Sequence, residues 1–151
     1  MSADNNPNNA PLVACLVIIN KEGKVLCVTR RHQQVYGLPG GKIDEGEELL
    51  VGASRELFEE TNLKVHPSDW HEIYECHEKD DKPPYTQYWS TTFYVELDKV
   101  INIGELKQME DGIVPAWLDW DDFFSKGVFT DYDMAVKRAL EIGRASCRER
   151  V

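Results

Sequence analysis

A group of glutamates within residues 38–63 has the type and spacing needed to bind a divalent cation. Glu56, Glu59 and Glu60 lie in the second half of this stretch, LPGGKIDEGEELLVGASRELFEETNL, which has the apolar periodicity of a helix. At about 100° per residue, their carboxylates share an arc of about 100° on one side of that helix. This arc borders the apolar stripe, so the acidic face is expected beside the core.

Like charges at this spacing repel one another, and more strongly where burial lowers the dielectric, so a positive group must lie among them. Arg55 can pair with one carboxylate, but a single guanidinium cannot balance three. A divalent cation that prefers oxygen ligands can. Mg²⁺ and Mn²⁺ are the natural candidates, because no His or Cys cluster accompanies the glutamates. The alternative is an ordinary solvated acidic face, which describes most charged helices.

The same stretch opens with residues that favour a tight turn. Pro39 is flanked by Gly37, Gly40 and Gly41, a combination whose backbone can approach a ligand closely. The helix after this turn is predicted to begin near Glu47, where the acidic side chains suit the positive end of the helix dipole. The sequence therefore predicts a glycine turn followed by an acidic helix.

The segment from Gly41 to Leu63 resembles the Nudix box, G-x5-E-x7-R-E-U-x-E-E-x-G-U, in which U is a bulky apolar residue. Eight of the nine defined positions agree, namely Gly41, Glu47, Arg55, Glu56, Leu57, Glu59, Glu60 and Leu63. Asn62 stands where the family has glycine, and asparagine is the non-glycine residue that best tolerates the left-handed conformation expected at that helix end. We expect a small loss of stability from this departure and no loss of chemistry.

The resemblance implies the α/β (α+β) class and the Nudix fold, in which a mixed β-sheet is sandwiched between α-helices. It also implies hydrolysis of a pyrophosphate bond in a nucleoside diphosphate linked to a group X, with Mg²⁺ or Mn²⁺ as cofactor. The metal ligands implied in this way are Glu56, Glu59, Glu60 and the carbonyl of Gly40. Glu47 and Arg55 would orient these ligands through a salt bridge.

The resemblance does not identify a single residue as the catalytic base. Glu56 or Glu59 can serve, but in this family the base also comes from a loop outside the box. Glu110 and Asp111 are the candidates for such a loop residue, because they precede GIVPAWL at a similar spacing. Glu110 is also a candidate metal ligand.

Candidate substrate-binding residues lie near the glycine turn and on the aromatic strands. Arg31 and Lys42 beside the turn could contact phosphates, while Tyr36 and Tyr88 could contact a base. The small size resembles MutT-type enzymes, which implies an oxidised nucleoside triphosphate such as 8-oxo-dGTP as substrate. ADP-ribose, nucleotide sugars and dinucleoside polyphosphates remain open, as does a Nudix-like module that binds a nucleotide without cleaving it. The oligomeric state is open too, with a homodimer among the alternatives.

Alternating strands and helices must position these residues. PLVACLVII and KVLCVTR are apolar runs typical of buried strands, and NKEG between them predicts a hairpin. Further strands are predicted around DWHEIYECHE, YWSTTFYVELD and GIVPAWLDW, with a loop at KDDKPPYTQ. A short helix at DDFFSKG and a closing helix at DYDMAVKRALEI follow. This order predicts a mixed sheet flanked by helices.

The 151 residues have the length and composition of one globular domain. We expect a disordered tail at 1–10 and a single domain at 11–141. Residues 142–151, IGRASCRERV, match the translation of a common sequencing adapter and are not expected to be native. Leaving out Arg144, Arg148, Arg150 and Glu149 changes the formal charge from −10 to −12, which disfavours binding to a nucleic-acid polymer.

The sequence does not predict membrane association. No apolar run approaches the roughly 20 residues that a membrane span needs, and the polar start lacks the features of a signal peptide. We therefore expect a cytoplasmic protein with no membrane partner. Four cysteines without paired spacing fit reduced thiols better than a disulfide framework or a zinc site.

Overall fold

The computed structural model describes residues 10–30, 33–79, 83, 87–126, 138 and 141. The strands are β1 (Leu12–Val17), β2 (Val25–Arg30), β3 (Gln33–Gly37), β4 (Gly40–Lys42), β5 (His71–Lys79), β6 (Gln87–Tyr94) and β7 (Pro115–Leu118). The helices are α1 (Leu49–Thr61) and α2 (Trp120–Lys126), with short 3₁₀ turns at Pro67–Asp69, Leu97–Lys99 and Ile103–Glu105. The predicted α+β class is confirmed.

The strands form two sheets rather than the single mixed sheet that the sequence predicted. One sheet has the order β4-β1-β6-β5, with β1 parallel to β6 and antiparallel to β4. The other has the order β3-β2-β7 and is antiparallel throughout. The first sheet carries the glycine turn in β4, and α1 packs against β1 and β4 of that sheet.

The predicted β1–β2 hairpin is correct at its turn and wrong along its strands. The N–H of Gly23 donates to the carbonyl of Asn20, and strand-like pairing follows between Ile19 and Val25. Beyond that point β1 and β2 enter different sheets. Each strand is paired on both of its edges there, so neither has a free edge for the other.

β1 separates two apolar clusters, which explains its continuous apolar sequence. One cluster lies between β1 and α1 and includes Ala14, Leu16, Ile18, Leu49, Ala53, Leu57 and Phe93. The other cluster lies on the opposite face of β1 and includes Val17, Val25, Cys27, Leu38, Tyr94 and Phe123. Burial raises the pKa of the Cys27 thiol to about 12, so this cysteine is an unreactive part of the core.

Helix α1 begins two residues later than predicted and ends where predicted. Its first backbone bond runs from the N–H of Gly52 to the carbonyl of Glu48, at 2.9 Å, so Glu47 lies before the helix. The helix ends at Asn62, which has φ 70° and donates its N–H to the carbonyl of Phe58. Asparagine therefore adopts the left-handed conformation for which the family uses glycine.

The remaining predicted elements agree with the structure where it describes them. β5, β6, β7 and α2 occur at the predicted segments. The predicted closing helix at 131–142 lies outside the described residues except for Arg138 and Glu141, both of which are helical. The predicted tail lies outside them as well, except for Ala10. No helix in the described part of the chain is long and apolar enough to cross a membrane.

We expect Gly40→Ala to destabilise the fold far more than Gly23→Ala. Both glycines have positive φ, but a Cβ on Gly40 would overlap the carbonyl oxygen of Ala14, whereas a Cβ on Gly23 meets nothing within 4 Å. The free energy of unfolding is expected to fall by about 3 kcal/mol or more in Gly40→Ala and by about 1 kcal/mol in Gly23→Ala. Urea denaturation of the two variants checks this, and equal losses would contradict the packing described for β4.

Candidate active site

The backbone of β4 lies directly against the carboxylates of α1. The N–H of Gly40 donates to Oε1 of Glu60 at 2.7 Å, and Glu60 is only 3% exposed. A Cβ on Gly41 would lie 2.7 Å from Oε2 of Glu56. Glycine at both positions is therefore what lets two α1 carboxylates reach the strand backbone. We call this arrangement of the Gly40–Gly41 backbone with Glu56 and Glu60 the glycine cradle. Its carboxylate oxygens are a ligand type that Mg²⁺ and Mn²⁺ prefer, and the Gly40 carbonyl stays the further ligand expected from the resemblance.

Arg55 holds the acidic residues around it in place. Its Nε and Nη2 donate to the two oxygens of Glu47 at 2.7 and 2.9 Å. Its Nη1 donates to Glu56 at 3.1 Å and to Glu59 at 3.0 Å. Nη2 also donates to the carbonyl of Lys42 at 3.2 Å, which ties the guanidinium to β4. One arginine thus fixes the positions of three carboxylates relative to the glycine turn.

The Arg55–Glu47 pair perturbs both partners. The hydrogen bond from Arg55 lowers the pKa of Glu47, assisted by the N–H of Asp44, which donates to Oε1 of Glu47 at 3.0 Å. The same hydrogen bond raises the pKa of Arg55 above its ordinary value. Both shifts favour the charged forms, so the pair remains ionised through the neutral range. The salt bridge expected from the resemblance is present, while its orienting role stays a prediction.

The carboxylates on α1 differ in depth. Glu60 is buried, the side chain of Glu56 is 14% exposed, and the side chain of Glu59 is 52% exposed. Among the described residues, no three His, Cys, Asp or Glu side chains already converge as a group that could hold a metal ion. Arg55 binds Oε1 of Glu56 and Oε2 of Glu59, so it competes with a cation for one oxygen of each carboxylate. The ligand set therefore stays a prediction that rests on the donor types and the glycine cradle.

Glu110 and Asp111, the candidate loop residues, lie in an exposed turn. The N–H of Ile113 donates to the carbonyl of Glu110 at 3.1 Å and closes the turn. The Thr29 hydroxyl donates to the carbonyl of Gly112 at 3.2 Å and fixes the turn to the end of β2. The carboxylates are thus on the surface, and their catalytic and metal-binding roles stay predictions.

The candidate substrate-binding residues fall into three situations. Lys42 is exposed at the end of β4, and its backbone carbonyl accepts a hydrogen bond from Arg55. Tyr36 in β3 is partly buried and packs against the second apolar cluster, and Tyr88 in β6 is partly exposed. Arg31 lies outside the described residues. None of these positions by itself identifies the substrate.

Asn102 is a residue near α1 that sequence reasoning missed. Its side-chain amide donates to the carbonyl of Asn62 at 2.7 Å, and its side-chain oxygen accepts from the N–H of Lys64 at 2.8 Å. The two asparagines are 40 positions apart, and no local pattern connects them. The only available signal was the departure from glycine at position 62.

The sequence matches the NUDIX domain over residues 9–137. It is 40% identical over 75 residues to an RNA pyrophosphohydrolase of Bartonella quintana, a match that covers 42% of this chain and 43% of that protein. Matches to curated relatives span from 35% to 58% of those relatives' lengths. Because the family match covers most of the chain, the chain belongs to the NUDIX family. The resemblance carried by the box residues is confirmed.

Solved structures agree on the fold. A MutT NUDIX hydrolase from Burkholderia pseudomallei superposes with a TM-score of 0.70 at 18% identity, covering 87% of this chain and 98% of that one. The NUDIX domain of Shewanella oneidensis NrtR, complexed with ADP ribose, also superposes with a TM-score of 0.70 at 18% identity. This match covers 91% of this chain and 90% of that one. At this level of identity the likeness establishes the NUDIX fold.

We expect Glu47→Gln to lower the free energy of unfolding by about 1 to 2 kcal/mol at pH 7, because it removes the charge from the bidentate pair with Arg55. A carboxyl whose pKa is lower in the folded chain stabilises the fold above the pKa of the unfolded chain, and this contribution is lost as pH falls through the folded pKa. The difference between wild type and variant should therefore shrink below pH 4.5, the ordinary glutamate value.

Urea denaturation at pH 7 and at about pH 3 measures this difference. Glu45→Gln is the matched control, because Glu45 is exposed in the same loop. A Glu47→Gln effect of the same size at both pH values would contradict the ion pair as its cause.

Proposed function

We propose that this protein is a divalent-metal-dependent hydrolase that cleaves a pyrophosphate bond in a nucleoside diphosphate linked to a group X. The observation that carries the proposal is the contact of Glu56 and Glu60 with the Gly40–Gly41 backbone, next to the ion pair of Arg55 and Glu47. An ordinary solvated acidic face does not account for a glutamate that is 3% exposed. Membership of the NUDIX family supports the same class of reaction.

In this proposal Glu56, Glu59, Glu60 and the Gly40 carbonyl would hold Mg²⁺ or Mn²⁺. A bound cation would neutralise phosphate charge and would lower the pKa of a water molecule that it coordinates. Arg55 binds Glu56 and Glu59 while its Nη2 contacts β4, and the two hydrogen bonds to Glu47 fix the guanidinium in place. Because these side chains are already ordered by hydrogen bonds, little further ordering is required when the substrate binds.

The proton acceptor in this proposal is one of four carboxylates, those of Glu56, Glu59, Glu110 and Asp111. Glu59 is the most exposed of the α1 glutamates, so its free oxygen can reach a water at the surface. Glu56 is the alternative on the helix, and Glu110 or Asp111 is the alternative on the loop. The candidates differ in which single substitution is expected to remove the acidic limb of the pH–rate profile, where the rate falls as the base becomes protonated.

For the substrate, we propose an oxidised nucleoside triphosphate such as 8-oxo-dGTP. The size of the domain and the fold shared with a MutT NUDIX hydrolase support this choice. Lys42 is available for phosphate, and Tyr36 and Tyr88 for the base. ADP-ribose is the second candidate, because a NUDIX domain of the same fold forms a complex with it. Nucleotide sugars and dinucleoside polyphosphates complete the set to be compared.

A non-catalytic nucleotide-binding module is the alternative of another class. The complete set of box glutamates in this chain favours the enzyme, since a module that only binds has no need of them. We further propose residues 11–141 as the functional domain, a cytoplasmic location and a small-molecule substrate rather than a nucleic-acid polymer. The net negative charge supports the last of these.

We expect hydrolysis of at least one nucleotide in a panel that contains 8-oxo-dGTP, dGTP, ADP-ribose, a nucleotide sugar and a diadenosine polyphosphate, with Mg²⁺ present. Glu60→Gln should lower kcat/KM by about 10²-fold or more, because it removes a charged ligand from the cradle. Glu48→Gln is the control, since Glu48 is exposed and its side chain caps no backbone group of α1.

Product analysis in ¹⁸O-labelled water identifies the phosphorus that is attacked. Nucleotide-dependent thermal stabilisation without any product across the panel would favour the binding module. Full activity in Glu60→Gln would defeat the site assignment.

We expect Mn²⁺ to raise the melting temperature of metal-stripped wild type by about 5 to 10 °C at a concentration 100-fold above its Kd. The gain should be smaller in Glu56→Gln, because that variant loses a ligand oxygen, and unchanged in Glu45→Gln. Differential scanning calorimetry with and without EDTA measures both. Equal stabilisation of all three proteins would place the cation somewhere else.

A further inference from the structure

We propose that Asn62 is a positioning residue that ties the C-terminal end of α1 to residues 101–114, here called the strap, and so fixes the Glu110–Asp111 turn relative to the α1 carboxylates. The catalytic consequence rests on the proposed function, in which Glu110 or Asp111 belongs to the site. The position is the one at which this chain departs from the family glycine.

The side chain of Asn62 makes a contact that glycine cannot make. Its Nδ2 donates to the carbonyl of Glu105 in the strap, at 2.8 Å. In return, Nδ2 of Asn102 donates to the Asn62 carbonyl at 2.7 Å, and Oδ1 of Asn102 accepts from the N–H of Lys64 at 2.8 Å. Two asparagine side chains therefore connect the helix end and the strap in both directions.

Backbone hydrogen bonds extend this connection on both sides. The N–H of Ile101 donates to the carbonyl of Lys64 at 2.9 Å, and the N–H of Lys107 donates to the carbonyl of Thr61 at 3.2 Å. The Glu105 N–H donates to the Asn102 carbonyl at 2.8 Å and forms the 3₁₀ turn that presents the Glu105 carbonyl to Asn62. The strap therefore contacts Thr61 at the end of α1 and Asn62 and Lys64 just after it.

The candidate loop residues lie between this anchor and a second anchor at the end of β2. Residues 107–112 are all exposed, whereas Ile103 and Leu106 before them pack against the apolar cluster between β1 and α1. On the far side the strap is fixed to β2, where the Val114 N–H donates to the Thr29 hydroxyl at 2.9 Å. The Glu110–Asp111 turn therefore lies between two anchors, and Asn62 belongs to the one that joins the strap to α1.

The anchor also has a direct geometric link to the site. Asn62 follows Glu60 by two residues, so a shift of the strap relative to Asn62 is a shift relative to the carboxylate that contacts Gly40. Displacements of about 1 Å are enough to reduce rates substantially when a reacting group must be aligned. Glycine at position 62 would keep the left-handed turn but give up the amide that sets this alignment.

The test compares Asn62→Gly and Asn102→Ala with Ser54→Ala. Ser54 is the matched control on the same helix, because its hydroxyl donates to the Val65 carbonyl at 2.6 Å and accepts from Trp70 without contacting the strap. Hydrogen–deuterium exchange of peptides covering 101–114 reads the order of the strap directly. Steady-state kinetics on the best panel substrate then separates kcat from KM.

We expect faster exchange across the strap in Asn62→Gly and Asn102→Ala, but not in Ser54→Ala. We expect kcat to fall about 10-fold in both strap variants with KM changed by less than about twofold, because alignment of a loop group is lost and binding is retained. The double variant should be little worse than either single one, since both side chains serve one anchor.

Three results would overturn the inference. Unchanged strap exchange in Asn62→Gly would remove the anchoring role, and faster exchange with an unchanged kcat would remove the positioning role. An equal fall of kcat in Ser54→Ala would reduce the effect to general destabilisation. Absence of turnover in wild type would instead count against the hydrolase, while the exchange measurements would still decide whether Asn62 anchors the strap.

Discussion

The close approach of the β4 backbone to helix α1 is the constraint on which the rest of the site depends. A carboxylate that is 3% exposed is costly to bury unless a strong donor compensates it, and the Gly40 N–H at 2.7 Å is that donor for Glu60. Only glycine permits the approach, because a side chain at Gly40 would overlap Ala14 and one at Gly41 would press on Glu56. Glu60 in turn joins α1 to β4.

Whereas the β4 backbone holds Glu60, Arg55 holds the other glutamates of the site. The sequence indicated that one guanidinium could not balance the charges of Glu56, Glu59 and Glu60. In the structure Arg55 contacts Glu56 and Glu59 and also Glu47. It achieves this by dividing its donors, two toward Glu47 and one toward the pair on the helix. These three carboxylates still outnumber the single guanidinium, and the proposed function requires a divalent cation at Glu56, Glu59 and Glu60.

Much of this arrangement was predictable from local sequence, and the failures share one cause. The helix end at Asn62 and the acidic face of α1 follow from side-chain type and from the period of the helix. The β1–β2 hairpin failed beyond Ile19, and a single sheet proved to be two, because apolar runs report burial but not which strand pairs with which. The contact between Asn62 and Asn102 was likewise invisible, since it joins residues 40 positions apart.

The sequence by itself determined which residues share one helix face, which turn contains the glycines and which family the chain resembles, because these depend on spacing along the chain. Only the tertiary structure decided that Glu60 is buried while Glu59 is half exposed, that Arg55 joins three glutamates, and that the strap is anchored at Asn62. The burial of each α1 side chain and its hydrogen-bond partners depend on which parts of the chain pack against the helix. Those neighbours, β4 on one side and residues 101–107 on the other, are brought there by the fold and not by the helix's own sequence.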